Sequence, residues 1–196
     1  MHMQRILFIL IASLLLLCGT EAKAQRDLPG QTGLQLTTGS VDRFLSWKSG
    51  GECHYFTSLA LTCTNRNHTH WLFGVDYLQK DYTYEGEVIP KAQFTGEIGY
   101  FIPVLSDKGR NVCLRLGLSA LGGYEVVNCG ESLLHDGSRL TNKDCFLYGG
   151  GLTAAFETYL TDRLVLLMQV KERALFGTDA GNFHTEVGLG LRIIIN

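Results

Sequence analysis

The sequence predicts an all-β fold: an eight-stranded, antiparallel, up-and-down β-barrel of outer-membrane type, following a cleaved N-terminal signal peptide. Three observations carry that reading. Apolar residues alternate with small or polar ones in eight successive segments, the period-two pattern of strands with one oily face. The connections between the segments alternate between long and tight, as they do when loops and turns lie at opposite ends of a barrel. After the N-terminal leader, no apolar run approaches the ~18 residues that a transmembrane helix requires.

The leader is read first. Arg5 supplies a positive flank, Ile6 to Leu17 is an apolar stretch too short to span a bilayer, and Ala22-Lys23-Ala24 is a small-x-small cleavage site. The expectation is a signal peptide over 1–24 and a single β-barrel domain over 25–196, with the mature chain starting at Gln25. Cys18 follows a bulky Leu17, which is the wrong neighbour for lipid attachment. The 196 residues suffice for one domain with a substantial core. A net charge of −2 provides no basic field for nucleic acid, so no direct nucleic-acid binding is expected. Glycine at 23 residues and proline at 3 suit many closely packed strands.

The strands follow in order. Gly33 to Val41 sets Leu34 and Leu36 opposite Gln35 and Thr37. Cys53 to Thr64 places Tyr55, Leu59 and Leu61 on one face, and His70 to Lys80 places Trp71, Phe73, Val75 and Tyr77 opposite Gly74 and Asp76. Lys91 to Pro103 carries Phe94, Ile98, Tyr100 and Ile102 against Gln93, Thr95, Glu97 and Gly99. Asn111 to Val127 sets Leu114, Leu116 and Leu118 against Arg115, Gly117 and Ser119. Phe146 to Arg173 is a hairpin: Leu152, Phe156 and Leu160 face away from Gly151, Glu157 and Tyr159, and Thr161-Asp162-Arg163 turns into Leu164, Leu166, Met168 and Val170. Asn182 to Asn196 aligns Val187, Leu189, Leu191 and Ile193 opposite Glu186, Gly188, Gly190 and Arg192. The longer connections are Asp42 to Glu52, Asp81 to Pro90, Asn128 to Asp144 and Gly177 to Gly181. The short ones are Asn65 to Thr69, Val104 to Arg110 and Thr161 to Arg163.

Alternation alone does not say which face is outside, since a soluble barrel turns its apolar face inward. Two features favour a polar lumen and an apolar, lipid-facing exterior. The polar faces are rich in glycine (Gly99, Gly117, Gly123, Gly149, Gly151, Gly188, Gly190), which a crowded interior needs and a solvated surface does not. They also hold scattered charges of both signs at Glu97, Arg115, Glu157, Lys171, Arg173 and Arg192, suited to internal ion pairs. Eight strands enclose a lumen just wide enough to be filled by side chains. Trp71, Tyr77, Tyr100 and Tyr159 near strand ends are expected in interfacial girdles.

Candidate chemistry is sparse. Cys63, His68 and His70 lie close in sequence but lack a clear fourth metal ligand. His184 with Ser119 or Ser132 is the pair a barrel hydrolase or acyltransferase would use, but no spacing singles these residues out. Gly149-Gly150-Gly151 lies within a strand and lacks the lysine and helix of a phosphate-cradling loop. Asn67-His68-Thr69 fits a glycosylation acceptor pattern, and Asp136-Gly137 marks a turn in the longest loop. Lys171-Glu172-Arg173 breaks the alternation where the seventh strand is expected to leave the membrane, giving a solvated rim or a partner-binding patch. With the leader removed, five cysteines remain (Cys53, Cys63, Cys113, Cys129, Cys145), an odd number; Cys129 and Cys145 bracket one loop and are placed to pair in an oxidising compartment. No catalytic, cofactor-binding or metal-binding residue is assigned.

Several ordered blocks carry a resemblance: Trp71 to Lys80, Ile89 to Thr95, Ser119 to Glu125, Glu157 to Arg163, Phe183 to Glu186 and the terminal Ile193 to Asn196. Through them the mature chain resembles the TraO family of conjugal transfer proteins, carried by conjugative transposons of Bacteroidales. The resemblance implies a non-enzymatic accessory of the mating apparatus at the cell outer membrane, with outer-membrane lipid and other transfer proteins as partners. The alternatives are an outer-membrane barrel enzyme modifying lipid or lipopolysaccharide, and a soluble secreted ligand-binding barrel. Outer-membrane barrels usually end in an aromatic residue, whereas this chain ends in Asn196.

Overall fold

A computed structural model describes residues 27–42, 54–84, 87–127, 145–177 and 182–196, with the side chains of 82–90 outside that description. The expected signal peptide over 1–24, Cys53, Cys129, Ser132 and Asp136-Gly137 lie outside the described residues. Eight strands run in chain order: β1 (Thr32–Val41), β2 (His54–Thr64), β3 (His70–Tyr84), β4 (Glu87–Ser106), β5 (Val112–Val127), β6 (Cys145–Tyr159), β7 (Leu164–Phe176) and β8 (Phe183–Ile194). Each pairs antiparallel with the next, and β1 pairs with β8, so the sheet closes into a barrel. Closure leaves no strand edge whose N–H and C=O groups would go unpaired in lipid.

Register fixes the shape. The row of partners that starts at Thr32 runs through Cys63, Trp71, Tyr100, Leu118, Leu152, Glu172 and Thr185. It returns to β1 at Asp42, whose N–H donates to the Thr185 carbonyl, ten residues beyond its start. A stagger of that size tilts the strands roughly 35–45° from the axis and leaves a lumen that side chains can fill.

The faces sort as alternation predicts, with the usual order of burial inverted. Leu118 is 69% and Leu189 57% exposed on the outside, whereas Glu157, Arg173 and Glu186 are 0% exposed within. Thirty large apolar side chains are exposed on the described surface, spread over all eight strands. The largest apolar patch on a soluble monomer is only about 300–600 Å². An apolar coat around a closed sheet is what a barrel shows to lipid. The glycines named above lie on the inner face, and one of them shows why. A Cβ on Gly117 would run into the ring of Phe101, which lies flat against that backbone in the lumen. We expect Gly117→Leu to lower stability by about 1–3 kcal/mol through overpacking. Denaturant titration of the folded barrel in detergent measures it.

Three sequence expectations are corrected. Asp81 to Pro90 is not a loop: β3 and β4 stay in register up to Tyr84 opposite Glu87, leaving only 85–86 as the connection. Lys171-Glu172-Arg173 does not end β7, which continues to Phe176, with Lys171 and Arg173 turned into the lumen and Glu172 outward. Alternation persists there because the inward face is ionic rather than apolar. Tyr159 is not in a girdle. It keeps the inward parity of Glu157 and is 5% exposed, packed with Val165 and Ile194 at the short-turn end. Trp71 and Tyr100 do face outward, their rings 4.8 Å apart.

Candidate functional site

The lumen is where the chain has concentrated its charge. Near the short turns, β6 delivers Glu157 between two arginines: Arg115 Nε on β5 lies 3.0 Å from Glu157 Oε2, and Arg192 Nη2 on β8 lies 2.8 Å from Oε1. Arg192 also donates to Gln35 Oε1. Arg115 reaches past the strands to Asp27 Oδ2 at 2.8 Å and to the carbonyl of His68. Asp27 is 1% exposed, so the segment leading into β1 is pinned across the short-turn mouth. Sequence reasoning missed this plug, because a lone acid near a strand start carries no periodic signal.

Above this knot an apolar layer of Ala60, Leu72, Phe101 and Ala155 crosses the lumen, with His70 stacked on Phe101 at 4.8 Å. A second ionic layer follows: Lys171 Nζ sits 2.6 Å from Glu97 and 3.4 Å from Asp76, and Arg173 Nη1 sits 2.6 Å from Glu186. Towards the loops lie the apolar clusters of Val41, Phe56 and Leu78 and of Leu121, Leu147 and Leu175. Lys91, bonded to Glu125 at 2.9 Å, lies at the same end. Successive layers of buried side chains therefore obstruct the lumen. In both ionic layers each cation is held by a carboxylate within hydrogen-bonding distance, the condition under which buried ions are tolerable.

At the loop end one carboxylate organises the rim. Asp42, just past β1, accepts from Lys80 Nζ at 2.7 Å, from the Thr185 N–H at 2.8 Å, and lies 3.0 Å from His184 Nδ1. Burial raises its affinity for a proton, but these donors outweigh burial and hold the carboxyl below the usual carboxylate range. A depressed pKa contributes stability that is present above the ordinary carboxylate value and lost as pH falls through the depressed one. Asp42→Asn is thus expected to speed amide exchange of Thr185 at neutral pH. The difference from the native protein should vanish in acid, as hydrogen exchange followed by NMR would show.

The sequence-predicted candidates are not brought together. Cys63 is exposed on the outer wall and His70 is buried in the lumen, on opposite faces of the sheet; His68 sits in the turn near Asp27. Among the described residues no group of three or more His, Cys, Asp or Glu is placed to hold a metal ion. His184 pairs with Asp42 on the loop-end rim, whereas Ser119 lies on β5 bonded to the Gly151 carbonyl at 3.5 Å. Among the described residues the hydrogen-bond partner of His184 is Asp42, and no serine or cysteine hydrogen-bonds it. Gly149-Gly150-Gly151 runs through the middle of β6.

Three comparisons bear on this arrangement. A family model described as "Conjugative transposon protein TraO" matches residues 28–195. No curated protein matches the chain. Among solved structures, the crystal structure of Neisserial surface protein A is similar at a TM-score of 0.51 and 14% identity, covering 83% of this chain and 95% of that one. At that identity the likeness shows the fold alone.

Proposed function

The chain belongs to the TraO family of conjugative transposon proteins and so has a role in conjugation; from that premise we propose that it is a non-enzymatic outer-membrane component of the mating apparatus, acting as an envelope scaffold or docking protein. The observation that carries this reading is a closed barrel that is apolar outside and ionic within. Such a body is stable in lipid and transports nothing through its filled lumen, which leaves its walls, turns and loops as working surfaces. The signal segment over 1–24 accounts for export, with cleavage after Ala24. The short turns then face the periplasm and the long connections the outside, as is usual for such barrels. Other envelope transfer proteins are the partners, and DNA need not touch a protein of net charge −2.

The test is genetic. Deleting the gene from the element in a donor strain should sharply lower transfer frequency, with recovery on complementation in trans. Unchanged transfer from the deletion strain would sink the reading. The enzyme alternative predicts the reverse for His184→Ala, a change in envelope lipids with transfer intact.

A further inference from the structure

The middle ionic layer of the lumen holds one acid more than it holds cations. β3 contributes Asp76, β4 Glu97 and β8 Glu186, against Lys171 and Arg173 of β7. All five side chains are at most 3% exposed. Lys171 Nζ lies 2.6 Å from Glu97, 3.4 Å from Asp76 and 3.9 Å from Glu186. Arg173 Nη1 lies 2.6 Å from Glu186 and 4.0 Å from Asp76. From β2 and β6 the register brings only hydroxyls to this level, Ser58 beside Asp76 and Thr153 beside Lys171, and from β5 it brings Leu121 beside Glu97. β1 carries no charged residue, and His184 on β8 is bonded to Asp42 at the rim. The other buried ions of the described lumen are matched: Arg115 and Arg192 meet Glu157 and Asp27, and Lys91 meets Glu125.

The excess shows in the bonding. Asp76 Oδ1, Glu97 Oε1 and Glu186 Oε2 are closed to solvent and have no hydrogen-bond partner. Glu186 has Arg173 close by, which leaves Asp76 and Glu97 to share the single ammonium of Lys171. Two acids in one buried site do not both stay ionised, because the second negative charge is neither hydrated nor paired; one takes up a proton. A metal ion is the other way to cancel that charge. Among the described residues, however, no group of three or more His, Cys, Asp or Glu is placed to hold one.

We infer that this layer binds one proton at neutral pH, held between the carboxyl groups of Asp76 and Glu97. The proton comes from water as the barrel folds. It forms one O–H bond on a carboxylate that thereby loses its charge, and no other bond forms or breaks. The remaining carboxylate pairs with Lys171, Glu186 keeps Arg173, and the layer becomes neutral. The proton belongs to the pair rather than to either residue. The inference concerns the charge of the lumen and is independent of the role in conjugation. Its consequence is a linkage between folding and pH. A proton bound in the folded state and absent from the unfolded one contributes stability that is full below the ordinary carboxylate range. That contribution declines as pH rises and is gone once the folded pair gives up its proton.

The test uses the protein purified from cell envelopes in detergent, with Asp76→Asn and Glu97→Gln as variants that each remove the excess acid. Infrared spectra at neutral pH should show the carbonyl band of one protonated carboxyl in the native protein, and both variants should lack it. In denaturant titrations the ratio of folded to unfolded native protein should fall, relative to either variant, about tenfold for each pH unit above the ordinary carboxylate range while the folded pair keeps its proton. Native and variant profiles that run parallel across neutral pH would overturn the inference. So would a native protein without the protonated-carboxyl band, whether or not the variants fold. Stability that follows sodium or potassium concentration, again without that band, would replace the proton by a bound cation.

Discussion

Replacing Glu157 with leucine should destabilise the folded barrel by about 3–5 kcal/mol, the penalty for leaving a buried charge without its partner. Glu157 is 0% exposed and holds Arg115 on one side and Arg192 on the other. Its loss strands two guanidinium groups in the lumen, with Asp27 left to Arg115 and the amide oxygen of Gln35 to Arg192. Removing the whole knot in the quadruple variant Asp27→Asn, Arg115→Met, Glu157→Leu, Arg192→Met should cost much less than the single change, because no charge of the knot is then left unpaired. The contrast distinguishes an ionic lumen from a water-filled one, where either change would be mild. Urea titration in detergent micelles, followed by tryptophan fluorescence, gives both values. A Glu157→Leu barrel within about 0.5 kcal/mol of the native one, the range of ordinary surface substitutions, would contradict the packing described.

Placing arginine on the outside should be nearly as damaging, provided that the outside is lipid. Leu118 on β5 is 69% exposed, flanked by Tyr100 of β4 and Leu152 of β6, well inside the apolar coat. An arginine at the bilayer midplane of a membrane barrel costs about 2–4 kcal/mol. The same substitution on a water-exposed surface changes stability by about 0.5 kcal/mol or less. Folding Leu118→Arg into vesicles and titrating with denaturant separates the two cases by magnitude. A neutral outcome would indicate that this wall is wet.

Most of the barrel was legible because an apolar exterior and an ionic lumen impose opposite chemistries on alternate residues. Where both constraints act, as along Leu114 to Ala120 or Val187 to Ile193, the strands and their inward faces follow from the sequence. The pattern blurs where one constraint stops. The paired extension of β3 and β4 up to Tyr84 and Glu87 lies at the loop end, and Asp81 and Pro90 there look like loop residues. Lys171 and Arg173 misled as a rim because two adjacent inward cations look solvated until Glu97, Asp76 and Glu186 are seen to meet them. Those partners come from β3, β4 and β8, and no local pattern announces a contact across the lumen. Asp27 was invisible for the same reason. Glu172 was visible as a charge, and its outward direction between the buried Lys171 and Arg173 follows from the continued alternation of β7.

Envelope fractionation of donor cells asks whether this family member works as a folded barrel in the outer membrane. A membrane barrel sediments with outer membrane, resists extraction by salt, and shifts in gel mobility when boiled. Recovery as a freely soluble periplasmic protein, with no mobility shift on heating, would contradict it.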